Sequence, residues 1–416
     1  MLYYYCTVFL LLEWVIESLM NYRSDKPYYI FLFGAVYDYQ GGIERFNRQI
    51  LQSWMRTSPK DRIDVLVQED NYQSKIKNGV ILETENIRFF GFQHKFKIVT
   101  KLKMGFYFLW RSILGSPSHI FVGHVSWSFP ALIISRLTGT PYSLMIHGSE
   151  ILGSIPWNRR LGLNQATHIF VNSKDTEQKC ISTNKTSKEK FFLLPPTADE
   201  MFFNLKDQTK KTLQLDCPIK KEKILLTVAR LDERERHKGI DTTIRALPAI
   251  LQTIDVIYFV IGQGGDLKRL KDLVLSLDLG EKVIFLGELT DEVVRDYYHL
   301  ADCYVMPSDE GFGIVYLEAL LCGVPVVAGD ADGSSEPLQG NKLGWRVNRK
   351  NPDQVAHAVL EALAGKDPRC NSKWLRDETI KVFGLNRFDQ RIRDVKKFFS
   401  SIKNKYRKNG YFNIGP

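Results

Sequence analysis

Paired cysteines are missing from this chain. Its six cysteines, Cys6, Cys180, Cys217, Cys303, Cys322 and Cys370, are scattered over 416 residues with no Cys-x-x-Cys spacing. That excludes a disulfide framework and a zinc ribbon, and it points to a reducing compartment, the cytoplasm. Gly-x-Ser-x-Gly, His-Glu-x-x-His, the Walker phosphate loop and the dinucleotide fingerprint Gly-x-Gly-x-x-Gly are absent as well. Hydrolase, metalloprotease, ATPase and dinucleotide oxidoreductase readings therefore lack support. No helix-turn-helix, zinc finger or aromatic RNA-binding pattern occurs, so nucleic acid is not an expected partner. A long uncharged apolar run is also lacking. Met1 to Met20 is apolar and aromatic, yet it carries Glu13 and Glu17 and no basic leader. An interfacial or docked helix fits it better than a signal peptide or a membrane span.

What remains is the composition of a globular protein, 44% hydrophobic and 25% charged, in a chain long enough for two domains. The net charge of +10 suits an anionic membrane or a phosphorylated substrate, and only its location separates these. Lys95, Lys97, Lys101, Lys103 and Arg111 form an acid-free run interleaved with Phe96, Ile98, Leu102, Phe106, Phe108, Leu109 and Trp110. It reads either as a basic amphipathic helix on a membrane surface or as a core-packed helix with a solvated basic face.

From Tyr28 onward, short β-branched or aromatic runs alternate with helical patterns, the signature of parallel sheets with crossover helices. The first series of predicted strands runs from Tyr29–Phe33 to Phe191–Leu194, and the second from Ile224–Ala229 to Trp345–Val347. The lysine-rich stretch between them breaks the rhythm. The expected organisation is an N-terminal extension (1–27), a doubly wound domain (28–204), a linker (205–222), a second doubly wound domain (223–382) and a terminal helix (383–416). A ligand would then lie in a cleft facing the carboxyl ends of both sets of strands.

The most informative segment is Glu310-Gly-Phe-Gly-Ile-Val-Tyr-Leu-Glu318, between the predicted strands Cys303–Met306 and Pro325–Ala328. At about 100° per residue, an eight-residue step puts the carboxylates roughly 80° apart on a helix, so they do not share a face. Glu310 belongs to the loop and Glu318 to the helix. The free amides of Phe312, Gly313, Ile314 and Val315 at such a helix start suit a phosphate. The bland alternative is an ordinary loop and an amphipathic helix. Against it, Ala319, Leu320, Leu321 and Cys322 make the helix apolar, and a carboxylate within it needs a partner.

Other candidates also fall at strand ends. Arg230 and Lys238 flank a charged loop before a helix through Leu251, either as a diphosphate clamp or as a surface loop of compensating charges. Arg230 is expected at the sheet's edge rather than in open solvent. Gly41-Gly42 precede a helix over Ile43–Met55, as a tight turn or as a phosphate-facing one. His124 and His147 each follow a strand, where a histidine either serves structure or meets a sugar hydroxyl. Asp330-Ala-Asp332 has the Asp-x-Asp form of some metal sites but lacks a third ligand at suitable spacing, so no metal is expected.

Together, Gly41-Gly42-Ile-Glu44, Val228-Ala-Arg230 with Lys238-Gly239, and Glu310-Gly-Phe-Gly followed by Glu318 resemble glycosyltransferase family 4. The resemblance implies a GT-B fold of class α/β. Two Rossmann-like doubly wound domains would face across a cleft, and the C-terminal helix, with Phe388, Ile392, Val395 and Phe398, would return to the first. It further implies a retaining, metal-independent hexosyltransferase, glucosyl or mannosyl, acting in glycan or exopolysaccharide synthesis. The donor would be a UDP- or GDP-sugar without further cofactor, and the acceptor a saccharide or lipid-linked molecule at the inner membrane face. Arg230 and Lys238 would neutralise the leaving diphosphate, Glu310 would meet the sugar, and Glu318 the ribose. His124 would lie near donor and acceptor, and His147 on the acceptor side. Gly287, Glu288 and Leu289 would lie near the base, with Gly41 and Gly42 also on the donor. The alternatives on this fold are a non-catalytic nucleotide-sugar-binding protein and a GT-B epimerase or phosphorylase.

Overall fold

In the computed structural model, the residues described are 26–38, 41–71, 84–151, 153, 155–201, 203, 222–330 and 332–408, without the side chains of 149 and 402–408. The expectations for residues 1–25, for most of the linker and for Cys6 and Cys217 lie outside them.

The first unit is built from β1 (Tyr28–Phe33), α1 (Gly42–Thr57), β2 (Arg62–Val67), β3 (Ile87–Gly91), α2 (Lys97–Gly115), β4 (His119–Val122), α3 (Ser128–Thr138), β5 (Tyr142–Ile146), α4 (Trp157–Gln165), β6 (His168–Val171), α5 (Lys174–Asn184) and β7 (Phe191–Leu193). The second comprises β8 (Lys223–Val228), α6 (Ile240–Leu251), β9 (Val256–Ile261), α7 (Leu267–Ser276), β10 (Val283–Gly287), α8 (Asp291–Leu300), β11 (Cys303–Met306), α9 (Ile314–Leu321), β12 (Val326–Gly329), β13 (Trp345–Val347), α10 (Pro352–Ala364) and α11 (Ser372–Phe383). A last helix, α12 (Leu385–Lys408), follows.

The seven strands of the first sheet run in the order β3-β2-β1-β4-β5-β6-β7, and the six of the second in the order β10-β9-β8-β11-β12-β13. Each order reverses once, between β1 and β4 and between β8 and β11, which opens a crevice at the carboxyl ends there. Strand residues explain the layering. In β1, Tyr29, Phe31 and Phe33 enter one core while Tyr28, Ile30 and Leu32 enter another, so both faces are buried. The β9 strand divides the same way between Ile257, Phe259, Ile261 and Val256, Tyr258, Val260.

One apolar cluster runs through both units and includes Phe388, Ile392, Val395 and Phe399 of α12. Asp389 accepts from Ser53 at 2.6 Å and from Arg56 at 2.8 Å, and Lys396 pairs with Asp61 at 2.7 Å. The C-terminal helix thus returns to the first unit as expected. The expectation is off by one position. Phe399, not Phe398, is the buried residue, stacked on His119 at 3.8 Å, whereas Phe398 lies at the side on Phe192. A spacing of 388, 392, 395, 399 follows one helix face, which 398 leaves.

The basic run needs a correction too. Arg111 is 1% exposed and forms a core ion pair with Asp64 at 2.5 Å, so it belongs to no surface. Lys95, Lys97, Lys101 and Lys103 are exposed, as are Phe96, Ile98, Leu102 and Phe106.

Candidate active site

The two crevices face each other and enclose a cavity of about 410 Å³. From the first unit it is lined by the Gly41–Gly42 turn, Arg45 and Phe46 of α1, His147 and Gly148 after β5, Asn172 after β6, and Lys179. From the second it is lined by Ala229 and Arg230 after β8, His237 and Lys238, Gln263 after β9, Glu288 and Leu289 after β10, Asp291, the 309–315 segment after β11, and Glu318.

Local chemistry fixes the loop that carries Glu310. Asp332 accepts from the Glu310 amide at 2.7 Å and from the Ser334 amide at 3.0 Å, while the Glu310 carbonyl accepts from Gly333 at 2.8 Å. Burial raises the Asp332 carboxyl to about 7, against the hydrogen bonds from Ser334 and Glu310. The acid of the Asp-x-Asp pattern therefore positions a loop. Among the described residues, no group of three or more His, Cys, Asp or Glu is placed to hold a metal ion. The loop ends at Gly313, whose φ of +86° caps α9. Ile314 and Val315, the first two residues of α9, line the cavity, and amides at a helix start lack acceptors within the helix.

Glu310 is mostly buried and ion-paired with Lys238. Lys238 closes a charged turn, Glu233–Lys238, which the left-handed Gly239 links to α6. Arg230 emerges at the end of β8 and lines the cavity, but its side chain is 70% exposed and paired with Glu235. The expectation that it avoids open solvent is thus corrected, because the adjoining turn brings a carboxylate within its reach.

Glu318 is 2% exposed, and the partner it needs comes from the other unit. Arg45 donates one guanidinium nitrogen to Glu318 and the other to Asp291 at 2.9 Å, and the Tyr298 hydroxyl donates to Glu318 at 2.9 Å. Arg45 stands three residues after Gly42, one helical turn on. That spacing was the available signal for it.

The two histidines separate. His147 lines the cavity. Its Nε2 donates to the Gly123 carbonyl at 3.0 Å, its amide donates to Glu150 at 2.7 Å, and its carbonyl accepts from Asn172 at 2.7 Å. His124 is not among the lining residues. Its Nδ1 accepts from the Ser126 amide at 3.2 Å in a local turn, and burial lowers its pKa. Gly287 also stands behind the wall, its carbonyl accepting from Gly262 at 2.7 Å, while Glu288 and Leu289 reach the cavity.

Residues 213–373 match the sequence family described as glycosyl transferases group 1. The chain is 31% identical over 218 residues to a GDP-mannose-dependent alpha-(1-6)-phosphatidylinositol monomannoside mannosyltransferase of Mycobacterium tuberculosis, covering 50% of this chain and 55% of that protein. It is 27% identical over 244 residues to a D-inositol 3-phosphate glycosyltransferase of Nocardiopsis dassonvillei, covering 56% of each. The chain thus spans about half the length of these curated relatives. In structure it is similar to Anabaena HepE in complex with UDP, with TM-score 0.73 and 16% identity over 89% of this chain and 99% of that one. It is likewise similar to a sucrose-phosphate synthase of Thermosynechococcus elongatus, with TM-score 0.75 and 19% identity over 90% and 100%. The fold is GT-B, and over residues 213–373 the motif resemblance to a glycosyltransferase is matched by the group 1 family.

Proposed function

We propose that this GT-B chain, whose residues 213–373 match the group 1 glycosyl transferases, is a hexosyltransferase that uses a nucleotide-diphosphate sugar. The observation that carries this reading is the convergence of Lys238, Glu310, Glu318 and the first turn of α9 on one cavity between the units. Lys238, Arg230 and the α9 amides stabilise the charge that develops on the departing diphosphate. Glu310 accepts from hydroxyls of the transferred sugar, and Glu318 from those of the ribose. His147, rather than His124, supplies the imidazole near the transferred sugar, since it reaches the cavity.

Anomeric configuration is retained by transfer on one face: the C1–phosphate bond breaks, the acceptor oxygen bonds to C1 on the same side, and a phosphate oxygen takes the acceptor's proton. GDP-mannose is the first donor to test, because a similar mannosyltransferase is named as dependent on it, with UDP-sugars next. Enzyme, donor and a panel of saccharide and lipid-linked acceptors, followed by product mass, test the reading. No product with any donor, together with no nucleotide binding, would overturn it.

The acceptor side carries a further expectation. In the first half of α2 and just before it, exposed Lys95, Lys97, Lys101 and Lys103 are interleaved with exposed Phe96, Ile98, Leu102 and Phe106, which supports contact with an anionic membrane surface and a lipid-linked acceptor. No helix among the described residues is long and apolar enough to cross a membrane.

A further inference from the structure

Glu318 sits within an apolar helix, nearly solvent-free, and a carboxylate in such surroundings is costly without a cation. Its compensation is split between the two units. Tyr298, from α8 of its own unit, donates to Oε2, while Arg45, from α1 across the cleft, donates to Oε1. The second guanidinium nitrogen is held by Asp291 at 2.9 Å, so the planar fork is fixed by two acids of the opposite unit. A carboxylate offers about four acceptor positions, so two hydrogen bonds leave room for two more. Two vicinal hydroxyls match that vacancy.

We propose that Arg45 is a positioning residue for donor binding, compensating and orienting Glu318 from across the cleft so that this carboxylate receives the ribose diol. The proposal rests on the reading of Glu318 as the ribose acceptor given above. Its consequence is mechanical. Arg45 belongs to the first unit and Glu318 to the second, so contact between the units prepares the ribose site and, reciprocally, a bound ribose favours that contact. The opposite arrangement has Arg45 occupying the place of the ribose as a plug. The two differ in the sign of one measurement.

The test compares wild type, Arg45→Ala and Arg45→Lys in calorimetric titrations with GDP and UDP and with their 2′,3′-dideoxy counterparts, alongside donor KM and kcat. Wild type is expected to prefer the ribonucleotide by about tenfold or more, as hydrogen bonds to a charged group allow. Arg45→Ala should lose that preference while keeping the dideoxy affinity, and its donor KM should rise more than its kcat falls. Arg45→Lys should recover part of the preference.

Tighter binding by Arg45→Ala would establish the plug and overturn the proposal. Equal weakening toward ribo and dideoxy ligands would reduce Arg45 to a structural role and overturn it too. If wild type binds both sugars equally well, the assignment of Glu318 itself fails, which is a separate result. Thermal melting checks that Arg45→Ala folds, and Arg45→Gln carries the same comparison should it not.

Discussion

The carbonyl oxygen of His147 and the α-carbon of Gly311 meet across the cleft so closely that a Cβ built on Gly311 would lie 2.1 Å from that oxygen. Gly148, with φ of +112°, packs in the same crossing, its added Cβ 2.9 Å from Gly311. Two glycines thus let the loop after β5 touch the loop after β11, beside Glu310.

Gly311→Ala is expected to hold the cleft open. Misplacing reacting groups by about an ångström costs on the order of a hundredfold in rate, and kcat should fall by that much while the unfolding midpoint barely moves. Steady-state kinetics with small-angle scattering checks it; full activity would sink the idea of a required contact.

Lys238 and Glu310 pair with each other in the cavity, and a bound donor should separate their tasks. Lys238→Met should lower kcat by about a hundredfold to a thousandfold, the range for removing one preorganised electrostatic contact, and weaken nucleoside diphosphate binding. Glu310→Gln should lower kcat while leaving affinity for the sugar-free nucleoside diphosphate unchanged. Titration and turnover measurements separate the two, and identical binding defects in both variants would contradict this division.

Asp332 gives a pH dependence with a definite sign. Its folded-state pKa of about 7 lies above the unfolded value, about 3.9. Between these pH values the folded chain holds more protons than the unfolded one, so this group makes stability fall as pH rises, levelling off above about 7. Urea unfolding of wild type and Asp332→Asn across that window should show their stability difference changing in this direction. Parallel profiles would contradict it.

Phe399→Ala should destabilise the protein by about 3–5 kcal/mol, the usual cost of emptying a buried aromatic site. The ring packs on His119 and Trp54 of the first unit. Phe398→Ala should cost clearly less, since that ring is only partly buried. Denaturant midpoints decide the order.

For the face of α2, cosedimentation with vesicles containing phosphatidylserine should retain the protein at low salt. Lys101→Glu with Lys103→Glu should abolish retention, each lysine near such a surface being worth about 1 kcal/mol. Phe106→Ser, at a side chain 70% exposed in the free protein, should weaken retention without altering the fold. Equal retention of all forms would remove the membrane from the reading.

Much of this was legible along the chain. The strand positions followed from apolar runs such as Val256–Ile261, because a strand buried on both faces needs no partner to announce itself. Glu310 and Glu318 were separable into loop and helix by their spacing together with the apolar strands on either side. His124 and His147 were not: each follows a strand, and only packing shows that one ring closes a local turn while the other reaches the cavity. Arg111 misled for the same reason, its charge being spent on Asp64 from a strand 47 residues away.

By itself, then, the sequence determined the two doubly wound sheets, the helix start after Gly313 and the kinds of group available at the strand ends, since these depend on neighbours within a turn or two. Only the tertiary structure decided which groups share a cavity. The ion pair of Arg45 with Glu318 spans 273 positions and the seam of Gly311 against His147 spans two domains. Such contacts arise from the docking of whole units, and no local periodicity encodes their register.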